Sequence, residues 1–191
     1  MNTSIQDMKK KIDEYKSGHI LYLIDEPQAY LKNAAAYILS GVEQGDHVFV
    51  IENDRMFASL FELVKASLTR TQLDRVHFVN NFDFYYSRGD FNTPTIVAYF
   101  LEVVKPIIDA EQSYRTWAHI EWGKLQDIED EVDAYEVNAQ KTVHEMDLLS
   151  VCGYDKDRLT EDMKGSLLNS HDCLMLEDEI VLLNQQDAVG D

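Results

Sequence analysis

His119 and Glu121 stand two residues apart in the run Arg115 to Trp122, RTWAHIEW. On a strand, alternate residues share a face, so this imidazole and carboxylate could meet one metal ion. The sequence offers neither an HExxH pair nor clustered cysteines as further ligands. A histidine satisfied by hydrogen bonds is the plainer reading, and no metal or cofactor is expected. Cys152 and His171 are the other pair with chemical potential, a thiol nucleophile and a base. Nothing in the sequence brings them within hydrogen-bond reach, and no third residue stands out to orient the base. Cys152 is expected either as a buried structural cysteine or as part of a pocket wall. Arg88-Gly89-Asp90 reads as a turn.

The elements that must position these groups follow from the hydrophobic pattern. Ile5, Met8, Ile12 and Tyr15 recur at helical spacing until Ser17-Gly18 stops them, which predicts a leader helix within residues 1–18. His19 to Ile24 is a strand, and Pro27 suits the first turn of the helix after it. His47 to Ile51 is a second strand, followed by a helix from Met56 to Leu68 with Phe57, Leu60, Phe61 and Val64 on one face. Val76 to Val79 is a short third strand. Phe82 to Phe91 is irregular and aromatic, either a lid over the strand ends or a loop pinned to the core. Thr95 to Ile108 is a helix that Pro106 ends or bends, and Arg115 to Trp122 is the fourth strand. Leu125 to Met146 predicts a long helix whose apolar stripe steps by three and four, with Asp127, Asp130, Asp133 and Glu136 on the opposite face. Packing of this helix on the sheet is the default, and a homodimer through it is the alternative. Leu148 to Tyr154 is a fifth strand, Leu159 to Leu168 a last helix, and Cys173 to Leu176 with Ile180 to Leu183 a terminal hairpin.

Strands alternating with helices imply an α/β fold of three layers, a mostly parallel sheet flanked by helices. One domain over residues 19–184 and a flexible tail over 185–191 are expected. In such sheets ligands bind beyond the carboxyl ends of the strands. Those ends carry Asp25-Glu26, Glu52-Asn53, Asn80-Asn81, Glu121-Trp122 and Cys152-Gly153-Tyr154-Asp155. A cleft of acids, aromatics and one thiol is the expected site, with Tyr22, Glu52, Trp117, Glu121, Trp122, Cys152, Tyr154 and His171 as its candidate ligand-binding residues.

Composition narrows the function. The 191 residues carry 35 Asp and Glu against 17 Lys and Arg, a formal net charge of −18, with 45% hydrophobic residues. That apolar content supports a core, so wholesale disorder is not expected. The acidity argues against direct binding to nucleic acid or to an anionic membrane, both of which need a basic footprint. No stretch approaches a membrane span, and Lys9-Lys10-Lys11 is followed by no apolar run, so no signal peptide is expected. Two cysteines without CxxC spacing fit reduced thiols in a cytoplasmic protein.

Four segments together resemble a known family. His19-Ile20-Leu21-Tyr22-Leu23, the strand from Arg115 to Glu121-Trp122, the Cys152-Gly153-Tyr154-Asp155 end and the step Asn169-Ser170-His171 occur in the order and spacing of the MEDS domain. That family is named for methanogens, methylotrophs and a dichloromethane-responsive regulator. The resemblance runs from about His19 to Leu183. It implies a ligand- or signal-sensing module, often fused to histidine kinases or DNA-binding domains, and it casts Glu121 as a polar anchor in the cleft. The chain has no room for either fusion, so a stand-alone sensor is expected. The layout is also similar to KaiC- and RecA-like ATPases. In those, a GxxxxGK[ST] loop after the first strand cradles phosphate. Here Asp25-Glu26-Pro27-Gln28-Ala29 takes that place, and Gly123-Lys124 is followed by Leu125 and lacks the earlier glycine. Two acids and a proline without an N–H would repel a triphosphate.

The function expected is therefore a non-enzymatic sensory or regulatory protein. It would bind a small organic signal at the strand ends and act on a regulatory protein such as a histidine kinase or transcription factor. The alternative keeps the fold without a ligand, as a protein-interaction antagonist of such a kinase or regulator. An acidic mimic of DNA fits the charge but needs no such α/β periodicity, and no catalytic motif supports an enzyme.

Overall fold

The computed structural model describes residues 3–123 and 128–183. Helix α1 (Thr3–Ile12) turns Ile5, Met8 and Ile12 inward, as its spacing predicts. Strand β1 (Gly18–Ile24) leads to α2 (Pro27–Gln44), which starts on Pro27 and stops at Gly45, whose φ of 94° a side chain would resist. Strand β2 (His47–Glu52) runs into α3 (Asp54–Val64), where the Asn53 side chain accepts a hydrogen bond from the Met56 amide and caps the helix. The short α4 (Arg70–Leu73), β3 (Val76–Asn80), α5 (Asn81–Tyr85) and α6 (Thr93–Asp109) follow. Strand β4 (Tyr114–His119), α7 (Ile128–Glu145), β5 (Leu149–Asp155), α8 (Glu161–Asn169), β6 (Cys173–Met175) and β7 (Ile180–Leu182) complete the described chain.

The seven strands form one sheet in the order β3-β2-β4-β5-β1-β6-β7, parallel throughout except for the terminal β6-β7 hairpin. Both faces are buried, which is why the central strands read as nearly continuous apolar runs. Side chains of α1, α2 and α3 pack on the face carrying Ile20, Val50, Trp117 and Val151. Those of α5, α6, α7 and α8 pack on the face carrying Leu21, Ile51, Ala118 and Cys152. The α/β three-layer expectation and the C-terminal hairpin both hold. Among the described residues, no helix is long and apolar enough to cross a membrane.

Several local expectations change. Strand β4 ends at His119, and only the Ile120 amide, donating to Gly153 O at 2.9 Å, continues the pairing, so Glu121 and Trp122 lie past the sheet. Pro106 sits inside α6, which runs on to Asp109. Phe84, Tyr85 and Phe91 are buried in the core, so the aromatic segment is pinned rather than raised as a lid; Phe82 alone among its phenylalanines is exposed. Helix α7 packs on the sheet through Val132, Tyr135 and Val143. Leu125 and Asp127 lie outside the described residues, as does the tail over 185–191. Glu136 does not belong to the acidic outer face: it is only 1% exposed and points into the core. At 100° per residue it falls about 40° from Val132 and about 20° from Val143, inside the buried arc.

Candidate functional site

Strand alternation divides the chemically capable residues between the two faces. On the face under α2, Glu52 ends β2 with no exposure, and each of its oxygens is occupied. The Tyr30 hydroxyl donates to Oε2, while the Asn53 amide donates to Oε1 at 2.7 Å. His119 Nδ1 lies 2.9 Å from the same Oε1, and Trp117 Nε1 donates to the Tyr30 hydroxyl at 2.9 Å. Tyr22 stacks on Tyr30 with ring centres 5.8 Å apart and meets Trp117 edge-on. On its other side, His119 Nε2 faces Asp155 Oδ1 at 3.5 Å, and Glu121 Oε2 lies 3.9 Å from Nδ1. Glu121 is itself held by the side-chain amides of Asn53 and Asn81, at 3.1 and 2.6 Å. Burial opposes a charge on His119, but the hydrogen bonds to Asp155 and Glu52 and the nearby carboxylates outweigh it and raise its pKa to about 10. This group is an ion-paired network built around an imidazolium.

The opposite face holds a second polar group with the reverse electrostatics. His19 (β1), Glu136 (α7), Cys152 (β5) and His171, in the turn between α8 and β6, are all at most 2% exposed. The two imidazoles stack with centres 3.9 Å apart. His19 Nδ1 points to Gln140 Oε1 at 2.7 Å and to Ser170 O at 3.2 Å, and His171 Nδ1 points to Leu167 O at 2.7 Å. Since those partners only accept, each Nδ1 carries the proton and each Nε2 presents a lone pair. Both lone pairs converge on Glu136 Oε2, at 3.4 Å from His19 and 3.5 Å from His171, and His19 Nε2 lies 3.2 Å from Cys152 Sγ. The Tyr154 hydroxyl donates to the other Glu136 oxygen. Burial pushes His19 down to about 4 and His171 well below its ordinary value, so both are neutral. Burial likewise raises the Cys152 thiol, and it lifts Glu136 to about 7 against the bond from Tyr154.

A small cavity of about 60 Å³ adjoins this second group, between the sheet and helices α6 and α7. Ile51, Phe84, Ile96, Phe100, Tyr135 and Ala139 give it an apolar wall, and Cys152, with the mutually bonded Thr116 and Ser150 hydroxyls, closes it on the sheet side. A larger hollow of about 290 Å³ opens at the ends of β1 and β6, between Tyr22, Asp25, Glu26 and Lys156. It lies at the turn from β1 into α2, where the helix starts on Pro27 and Glu26 provides no side-chain cap.

The eight sequence candidates thus do not share one cleft. Tyr22, Glu52 and Trp117 belong to the α2 side, and Glu121 sits above it, half-covered. Cys152, Tyr154 and His171 belong to the α7 side. Trp122 lies against Tyr154 and under the guanidinium of Arg158, 4.6 Å from its ring centre. Two members of the buried group, His19 and Glu136, are missing from the sequence candidates. His19 shares the β1 face of Leu21 and Leu23, and Glu136 interrupts the true stripe of α7; both signals are visible in the spacing.

Comparison with protein families gives a match to the model described as MEDS, the methanogen/methylotroph, DcmR sensory domain, over residues 18–172. Comparison with curated proteins finds no match.

Proposed function

Because the chain belongs to the MEDS family of sensory domains, we propose that it is a non-enzymatic sensor of a small, largely apolar molecule held in the cavity beside Cys152. The observation that carries this reading is the cavity itself. It reaches in from the partly buried Val97, Phe100, Ala139 and Thr142, between α6 and α7, to a buried thiol and two hydroxyls on the sheet, so its wall is not aliphatic alone. Its 60 Å³ suits a molecule of a few heavy atoms; a void of about 150 Å³ already accommodates benzene. Helices α6 and α7 form one wall, so occupancy acts by favouring one packing of those helices over another, and in no other way. The outer surface of α7, with exposed Glu129, Asp130 and Glu131, is the face that would report this change to a regulatory protein.

Xenon and a series of two- to five-carbon apolar probes, titrated into isotopically labelled protein, test the reading. Resonances of Ile51, Ile96 and Ala139 should shift together and saturate. Ala139→Val, which fills the void, should remove the response while leaving the fold intact. Absence of saturable shifts, or shifts that persist in Ala139→Val, would leave the ligand-free antagonist as the better account.

A further inference from the structure

We propose that His19, Glu136, Cys152 and His171 form a binding site for one divalent transition-metal ion of the zinc class. The ligand atoms His19 Nε2, His171 Nε2, Glu136 Oε2 and Cys152 Sγ all lie within 4.8 Å of one another. The closest separations, 3.2, 3.4 and 3.5 Å, are those of a coordination shell. Bonds of about 2.0 Å to nitrogen or oxygen and about 2.3 Å to sulfur place tetrahedral ligands about 3.3–3.8 Å apart.

Three further features belong to a metal site rather than to an ordinary buried network. Each histidine gives its Nδ1–H to a carbonyl oxygen, which fixes the tautomer with Nε2 inward, as the outer shell of a metal-bound imidazole does. Glu136 Oε2 and His171 Nε2 are buried without any hydrogen-bond partner, two lone-pair acceptors facing each other 3.5 Å apart. Unsatisfied buried acceptors are costly, and a cation between them removes that cost. The charges also close, since a carboxylate and a thiolate neutralise one divalent ion.

The donor set selects the metal. Calcium and magnesium take oxygen ligands, whereas imidazole and thiolate favour zinc and its neighbours. Four protein ligands with no open position describe a structural or coupling site rather than a catalytic one. The site would tie together β1, β5, α7 and the turn before β6. Cys152 belongs both to this shell and to the wall of the small cavity. Glu52, His119 and Glu121 also bring three possible ligand atoms within 4.8 Å of one another, but that group offers one imidazole and two carboxylates, with no second imidazole and no thiol.

Metal analysis of the full chain, purified without chelator, is the test, followed by chelator stripping and titration with Zn²⁺ and with Co²⁺ as a spectroscopic probe. One zinc per chain is expected, and the Co²⁺ form should show a thiolate-to-cobalt charge-transfer band with tetrahedral d–d intensity. Cys152→Ser should abolish the charge-transfer band, and His171→Ala should weaken binding by at least about 100-fold. Gln140→Leu, which removes only the outer-shell acceptor of His19, should cost about 10- to 100-fold. Should a ligand variant fail to fold, the Gln140→Leu affinity and the wild-type metal content still decide. The exposed-side pair His47 and His77, whose ring nitrogens lie 2.8 Å apart, is the competing site. A folded wild-type chain that takes up no zinc at micromolar concentration, a Co²⁺ spectrum without the thiolate band, or binding lost in His77→Ala but kept in Cys152→Ser would overturn the proposal.

Discussion

Replacing His119 by Gln should destabilise the protein in neutral solution and cease to matter in alkaline solution. In the folded chain His119 is almost fully buried and faces Glu52 at the end of β2, Glu121 beyond β4, Asp155 at the end of β5 and the Tyr30 ring from α2. Its pKa rises from 6.5 to about 10 because the bonds to Asp155 and Glu52 and the neighbouring carboxylates overcome the burial that opposes its charge. At about 1.4 kcal/mol for each tenfold, that rise caps the imidazolium's contribution at about 5 kcal/mol. Breaking a buried ion pair costs about 3–5 kcal/mol by a separate route, because the remaining carboxylate is left uncompensated. The sign follows from a pKa raised on folding: the stabilisation is complete below the unfolded value of 6.5 and disappears as the pH passes through about 10. Urea unfolding of wild type and His119→Gln across that interval is the assay. Taking the difference between the two removes the contribution of lysines and tyrosines, which titrate in both. The difference should fall from about 3–5 kcal/mol near neutrality towards zero above the folded pKa. A difference that stays constant, or grows with pH, would refute an imidazolium at the centre of this network.

Two packing predictions are independent of it. A Cβ on Gly41 would sit 2.5 Å from Val48 Cγ2 and 2.9 Å from Arg115 Cδ, so Gly41→Ala should lower stability by about 1–3 kcal/mol despite its better helix propensity. Gly165, in α8, has open space at that position, and Gly165→Ala should raise stability by about 0.5–1 kcal/mol; thermal unfolding of both variants checks the contrast. On α7, the double variant Asp130→Lys, Asp133→Lys should change stability by no more than about 0.5 kcal/mol for each substitution. Glu136→Lys, one helical turn away, should cost more than about 3 kcal/mol by burying a cation against two imidazoles, which soluble yield and urea midpoints would show.

The fold was legible because its signals are local and redundant. HILYLI and HVFVI are short, rich in β-formers and bounded by turn residues, so they read as buried strands; Pro27 marks the start of the helix between them, and the α1 stripe reads directly as Ile5, Met8 and Ile12. The site was half legible. Each strand end reads as chemically rich, but treating the ends as one cleft overlooks alternation. Trp117 and His119 point to one side of β4, while Cys152 and Tyr154 point to the other side of its neighbour β5. The helix was harder, since a carboxylate among acids reads as solvated unless its angle is measured against the full stripe, Val143 included. That His171 reaches His19 depends on the return of the chain into β6 beside β1, a pairing between segments far apart in sequence.

The two histidine-containing groups show why residue type alone does not determine chemistry. Both are buried, both include glutamate, and they lie back to back on neighbouring strands. What differs is the count of acids around each ring. His119 is approached by carboxylates from three separate segments, so protonation costs less than leaving those charges unpaired, and the imidazole becomes a cation. His19 and His171 share one buried carboxylate, Glu136, while the nearby Asp172 is turned to the His19 amide, Gln140 and His144, and the Nδ1 protons of the two rings are already committed to Gln140, Ser170 and Leu167. Burial opposes a charge on either ring, and for His171 the stacked His19 adds to it, so both remain neutral. The carboxylates at the strand ends thus fix His119 as a cation, while on the opposite face two lone pairs, a thiol and one buried carboxylate are left free to act together.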